Sequence, residues 1–152
     1  MAEQNSIRCI QLPLVDWQLL LPNSVVAEII GYSKPEQHGA GWYDGLLSWR
    51  GAFVPIVSIE GMCQRQQPET GSRTRIAIIY NLSGDEDLPY VGIILQDIPR
   101  AYLAEADRMQ DFSATPECEY LLGRADLMID QLMIPDLDAI MLAVKQRLDH
   151  TG

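Results

Sequence analysis

A chain of 152 residues, 47% hydrophobic and 21% charged, is ordinary globular material for one domain or two small lobes sharing a core. Its net charge of −10 repels phosphate backbones and anionic lipid surfaces, which argues against nucleic acid and against direct membrane insertion. The imbalance is local: seven acidic and six basic residues up to Ile76, then fourteen and five from Ala77 onward. No run of about 18 apolar residues offers a membrane-spanning helix, and Met1 to Ser6 lacks the apolar stretch of a secretory signal. Cys9, Cys63 and Cys118 are odd in number and far apart, which predicts reduced, buried thiols in a cytoplasmic protein.

Most of the chain reads as short strands. Ile7 to Leu14 and Trp17 to Leu21 are apolar runs split by a turn at Val15-Asp16. Val25 to Ile30, rich in β-branched residues, is a third strand, and Gly31 to Gly41, with Pro35 and three glycines, is a loop. Leu46 to Trp49 and Ala52 to Ile59 flank Arg50-Gly51 as a hairpin, with Pro55 expected at an edge or a bulge. The polar stretch Gln64 to Arg73 is the expected boundary between two lobes. Thr74 to Leu82, Pro89 to Leu95 and Ile98 to Leu103 are further strands. Ala104 to Glu117 is a long connection, and Glu119 to Leu127 and Met128 to Ile134 are the last two strands. Leu137, Ile140, Met141, Val144 and Leu148 then fall at helical spacing behind Asp136 as N-cap. The fold class is mainly β: two groups of about five strands and one closing helix.

Candidate chemistry is sparse. His38 lies in a glycine-rich loop and His150 near the end, so neither sits beside a nucleophile as a catalytic base requires. Ser48 is outside the spacing of a nucleophile elbow, no Cys and His cluster for a metal, and Asp85-Glu86-Asp87 reads as a charged turn. Asp126 and Asp130 are the nearest thing to a carboxylate pair. Gly39 and Gly41 match no nucleotide-binding loop. Trp17, Trp42, Tyr43 and Trp49 are read as packing aromatics rather than a ligand cage. No catalytic, cofactor-binding or metal residue is assigned, and the expectation is a binding or scaffolding module rather than an enzyme.

Five stretches, in order from about Ile7 to Leu148, carry a resemblance. They are Gly45-Leu46-Leu47 through Arg50-Gly51 to Val54-Pro55-Ile56-Val57 and Ile59; Val26-Ala27-Glu28-Ile29; Val91 to Leu95; Tyr120-Leu121-Leu122-Gly123; and Ile134-Pro135-Asp136-Leu137. This pattern resembles the CheW-like domains, the coupling proteins of bacterial chemosensory arrays. Trp49, Ser48, Ser58 and Gln96 depart from the family's usual residues, so the chain looks like a divergent member. The resemblance implies two five-stranded SH3-like barrels packed on a shared core with a C-terminal helix. It implies a cytoplasmic, non-catalytic scaffold without cofactors. Its partners would be the cytoplasmic tip of a methyl-accepting receptor and the regulatory, CheW-like domain of a histidine kinase. A system controlling type IV pili, hence twitching motility, is one home for such a divergent adaptor.

By the same resemblance the partner-binding residues are Val26, Glu28, Ile29, Gly45, Arg50 and Gly51. Arg50 is either a handle for a partner or one half of an ion pair bracing the two lobes. Val26 and Ile29, three apart on one strand, are expected on opposite faces, with Glu28 beside Val26 and Ile29 inward. Two other readings stand beside the scaffold: a free-standing SH3-like module gripping proline-rich peptides with Trp42, Tyr43 and Trp49, and an acidic all-β enzyme built on Asp126 and Asp130.

Overall fold

A computed structural model of the chain describes residues 6–105, 112–113, 118–127 and 130–150. Among the described residues twelve strands form two six-stranded sheets, and the chain visits one of them twice. The first strands, β1 (Ser6–Pro13) and β2 (Gln18–Pro22), pair antiparallel around Val15-Asp16. A short 3-10 turn, Asn23–Val25, leads into β3 (Val26–Gly31). The second sheet is then completed by β4 (Gln37–Ala40), β5 (Tyr43–Trp49), β6 (Ala52–Val57), β7 (Arg75–Tyr80) and β8 (Tyr90–Leu95), in the order β3-β7-β8-β6-β5-β4. The chain returns to the first sheet with β9 (Arg100–Glu105), β10 (Phe112–Ser113), β11 (Leu121–Leu127) and β12 (Asp130–Pro135), in the order β10-β11-β12-β2-β1-β9.

The expected lobe boundary at 64–73 is therefore not where the sheets divide. That polar segment joins the short helix α1 (Ile59–Met62) to β7, inside the second sheet. Polarity marks a surface crossing, and a crossing can link two strands of one sheet. The sheets exchange the chain instead at Asn23–Val25 and between β8 and β9. The expected loop at 31–41 contains edge strand β4, whose exposed, glycine-bearing sequence has no apolar alternation to announce it. Pro55 sits in neither an edge strand nor a bulge, since β6 lies between β5 and β8. It is tolerated because β6 begins its parallel pairing with β8 only at Ile56, so the missing N–H faces no ladder partner there.

Strand alternation splits the second sheet into two apolar faces. Val57, Ala77, Ile79, Val91, Ile93 and Leu95 join Leu12, Leu19, Leu21 and Met133 of the first sheet in the main core. Helix α2 (Leu137–Asp149) closes that core with Ile140, Met141 and Val144. Its start is set by Asp136, whose carboxylate accepts from the Ala139 N–H at 3.1 Å. The opposite face carries Leu47, Val54, Ile56, Ile76, Ile78 and Ile94, all buried in a second, smaller apolar cluster. The first sheet has a smaller counterpart in Cys9, Leu20, Ala104 and Leu132.

The cysteines correct the expectation of three free thiols: Cys63, just after α1, is bonded to Cys118, and only Cys9 is free, buried in the first sheet. Their separation of 55 residues carries no spacing signal that sequence reading can use.

Helix α1 places a carboxylate at the seam between the sheets. Glu60 is buried, and its Oε2 accepts from the Val15 N–H at 3.2 Å. Burial pushes the Glu60 carboxyl above its ordinary value, partly offset by backbone hydrogen bonds and that of the Ser58 hydroxyl. A raised folded-state value favours the protonated form. Its contribution to stability is full below about pH 4.5 and is lost as pH rises through the folded value. Glu60→Gln keeps an acceptor for Val15 without the charge. Urea titrations should show the variant more resistant than wild type at pH 7, with the advantage shrinking towards pH 4.

Candidate functional site

The β5–β6 hairpin turns through Arg50 and Gly51 alone, between the paired residues Trp49 and Ala52. Both turn residues have positive φ, 46° and 77°. That is the signature of a type I′ turn, whose twist matches the flanking strands. Glycine suits the second position. The first is normally Asn, Asp or Gly, because a Cβ is strained in this conformation.

The arginine is held from β3. Glu28 Oε1 accepts from the Arg50 guanidinium at 3.2 Å, and Glu28 Oε2 accepts from the Trp49 indole N–H at 2.7 Å. Arg50 also lies over the Trp49 ring, 5.1 Å from its centroid. Trp49 packs edge-on against Tyr90 at 5.0 Å, and Tyr90 contacts Tyr80 at 5.7 Å. Phe53, one ladder step from the apex, is 61% exposed. The result is a charged apex with an aromatic flank.

Glu28 reaches this place through a bulge. Between Val26 and Glu28, strand β3 spends two residues against one of β7. Val26 then pairs with Ile79 and Ile29 with Ala77, so both pack on the main core. Glu28 and Ile30 pair with Ile78 and Ile76, on the opposite face. The expectation that Val26 and Ile29 face apart, with Glu28 beside Val26, is thus overturned. The extra residue shifts the alternation by one step.

Of the other residues singled out, Gly45 is buried and faces β4, where a Cβ would fall on the Gln37 carbonyl oxygen. It positions the hairpin from behind. Arg50 and Glu28 both belong to the second sheet, so their ion pair braces one lobe and does not join the two. Sequence reading missed Trp49 as the partner of Glu28, and it missed Phe53, Tyr80 and Tyr90. The alternation did hold a signal for Phe53, which is out of phase with Val54 and Ile56.

Among the described residues the rival sites are not assembled. His38 and Ser48 are exposed on β4 and β5, and His150 caps α2. Asp85 belongs to a turn, ion-paired at 2.6 Å with Lys145, whose hydrogen bond holds its carboxyl below the usual range. The side chains of Asp126 and Asp130 lie outside the described residues. Tyr43 is buried with the Arg147 guanidinium 4.9 Å from its ring centre, and Trp49 is spent on Glu28 and Tyr90, so Trp42, Tyr43 and Trp49 form no common peptide shelf. Among the described residues no group of three or more His, Cys, Asp or Glu is placed to hold a metal ion, and no helix is long and apolar enough to cross a membrane.

The model of the CheW-like domain matches residues 9–142, nearly the whole chain and all of the Arg50 site. The chain belongs to the CheW-like domain family. Its fold is similar to the crystal structure of the scaffolding protein TtCheW from Thermoanaerobacter tengcongensis, with a TM-score of 0.70 over 89% of this chain and 86% of that one. Sequence identity across the superposition is 12%, so this likeness speaks for the fold. No curated protein sequence matches the chain. CheW-like domains are adaptor and scaffold modules of chemosensory signalling, and the hairpin apex is where this member shows a preorganised, exposed guanidinium.

Proposed function

We propose that this CheW-like protein is a non-catalytic, cytoplasmic coupling scaffold. It joins the helical tip of a methyl-accepting receptor to the regulatory domain of a histidine kinase, with the Arg50 apex as a principal contact. The observation that carries the reading is the conformation of Arg50. A non-glycine residue in the left-handed region costs about 1 kcal/mol or more. Its ion pair with Glu28 returns little, because the Arg50 side chain is 67% exposed and a surface pair is worth about 0–1 kcal/mol. Glu28 is already anchored by the indole N–H of Trp49, a charge-assisted bond that does not need the arginine. Stability therefore does not account for arginine at this turn position, and recognition does.

The chemistry suits the partner. A planar guanidinium makes forked bonds to carboxylates and to the free carbonyls at helix ends. Phe53, one ladder step from the turn, and Tyr80, at the end of the Trp49–Tyr90–Tyr80 run, supply exposed aromatic surface of the kind that dominates interface energies. In this reading Glu28 and Gly51 orient the arginine. Gly45, Val26 and Ile29 hold the hairpin and β3 in place. Which pathway the scaffold serves, a system controlling type IV pili being one home for a divergent adaptor, follows from the receptor it captures.

The test is a titration of the wild-type protein with the cytoplasmic hairpins of its own organism's receptors and with the regulatory domain of its CheW-binding kinase. Saturable binding to both classes at micromolar concentration is expected. Absence of binding to every receptor and kinase of that organism would overturn the scaffold reading.

A further inference from the structure

The segment Ser58 to Gln66 leaves the second sheet at the end of β6 and lies across the seam with the first. Its first turn is seated in the main core through Ile59 and Met62, and three further contacts strap the segment to the rest of the molecule. Glu60 accepts from the Val15 N–H in the β1–β2 turn. The Arg65 guanidinium lies 3.9 Å from the centre of the Trp17 ring and 3.7 Å from Asp16. Cys63 is bonded to Cys118, which is buried in the main core just ahead of β11. The disulfide is the one covalent tie of the three.

Its surroundings are unlike those of an inert structural bond. Cys63 is half-buried at the rim of the main core and is followed by the exposed residues Gln64 to Gln67, so the bond lies next to the surface. Gln64 is held at φ 61°, a left-handed backbone that a glutamine does not favour, immediately next to the bonded cysteine. An open pocket of about 310 Å³, lined by Val15, Asp16, Trp17, Glu60, Arg65 and Gln66, separates part of the strap from the β1–β2 turn. The main core draws on both sheets and α2, with Cys118 one member among many, so most of its packing is made by residues other than the bonded pair.

We propose that Cys63–Cys118 is a reversible thiol–disulfide exchange site whose co-substrate is a dithiol, and whose reduction frees the strap from β11 in the folded protein. A thiolate of the dithiol attacks the Cys63 sulfur and forms a mixed disulfide. The Cys63–Cys118 bond breaks, and Cys118 leaves as a thiolate and takes up a proton. The second thiol of the reagent then displaces Cys63, which is protonated in turn. Two electrons pass to the protein disulfide, and the dithiol ends as its own disulfide. Cys118 is a comfortable neutral thiol in its apolar site, and Gln64 is released from its constrained backbone. The strap shares β6 with the Arg50 hairpin, so the exchange site and the apex lie at opposite ends of one strand.

The experiment uses the full chain and dithiothreitol. Thiol counting in denaturant, before any reductant, should find one thiol per chain, Cys9, and three after reduction. Native protein treated with dithiothreitol should also reach three, with its circular dichroism unchanged. Hydrogen exchange over residues 63–66 should then approach the unprotected rate, while β7 and β8, though faster than in the oxidised protein because global stability falls, remain the slower-exchanging segments. Oxidised glutathione should reverse the change, and Cys63→Ala/Cys118→Ala should reproduce the reduced pattern. If the double variant does not fold, the reduced wild type supplies the same readout. Three thiols before reduction, reduction only in denaturant, or equal exchange in both forms would each overturn the proposal. None of these readouts depends on a receptor or a kinase.

Discussion

Permanent removal of the Cys63–Cys118 bond, by reduction or by Cys63→Ala/Cys118→Ala, should lower the free energy of unfolding by about 4 kcal/mol. The estimate comes from the 55-residue separation of the two cysteines, because a cross-link mainly restricts the unfolded chain and its effect grows with the loop it closes. A domain of this size has about 5–15 kcal/mol in total. The reduced protein should therefore remain folded at room temperature with a much lower urea midpoint. Equilibrium unfolding with and without dithiothreitol measures the difference directly. A midpoint indifferent to reductant would show that the bond constrains nothing.

Gly45→Ala should be at least comparably damaging for a different reason. Gly45 has φ 133°, sits at the register shift of β5 against β6, and faces the β4 backbone. A Cβ would meet the Gln37 carbonyl oxygen, which cannot swing aside as a flexible side chain could. Backbone strain and the forced displacement of β4 together should cost about 3 kcal/mol or more. Gly71→Ala, on an exposed loop with open space around the added methyl, is the control and should cost almost nothing. Thermal unfolding of the two variants decides between a packing requirement at Gly45 and a general intolerance of the chain. Loss of partner binding in Gly45→Ala should track loss of fold, since this glycine is buried behind the hairpin.

Strand content was legible in the sequence because the strands are apolar and bounded by turn residues. The Leu46–Trp49 run, the Arg50-Gly51 turn and the Asp136 cap lie where alternation and local hydrogen bonding put them, while the expected Ala52 to Ile59 strand ends at Val57 because Ser58 caps the short helix α1. Strand β4 was not legible, because an edge strand of Gln37, His38, Gly39 and Ala40 is held by backbone pairing that leaves no side-chain pattern. The faces of β3 were misjudged because a bulge is a backbone event, and Val26 to Ile30 reads the same with or without it. The lobe boundary was misjudged because each sheet is assembled from distant segments, and a polar loop does not reveal which sheet its ends belong to. At the candidate site, the resemblance singled out Arg50 and Glu28 separately. Their meeting depends on the bulge and on the indole of Trp49, a residue that the sequence offers as a packing aromatic and a departure from the family's pattern, with nothing to pair it with Glu28.

The measurement that bears most directly on the account is the binding of Arg50→Asn. Asn-Gly is the preferred pair for a type I′ turn, so this variant keeps the hairpin and relieves the strained position. Its unfolding midpoint should equal or exceed that of wild type. Titrated against the receptor hairpin and the kinase regulatory domain, it should bind at least one of them about tenfold or more weakly, a loss of about 1.4 kcal/mol. Full-strength binding to both by a well-folded Arg50→Asn protein would contradict the account and return Arg50 to the chemistry of the turn.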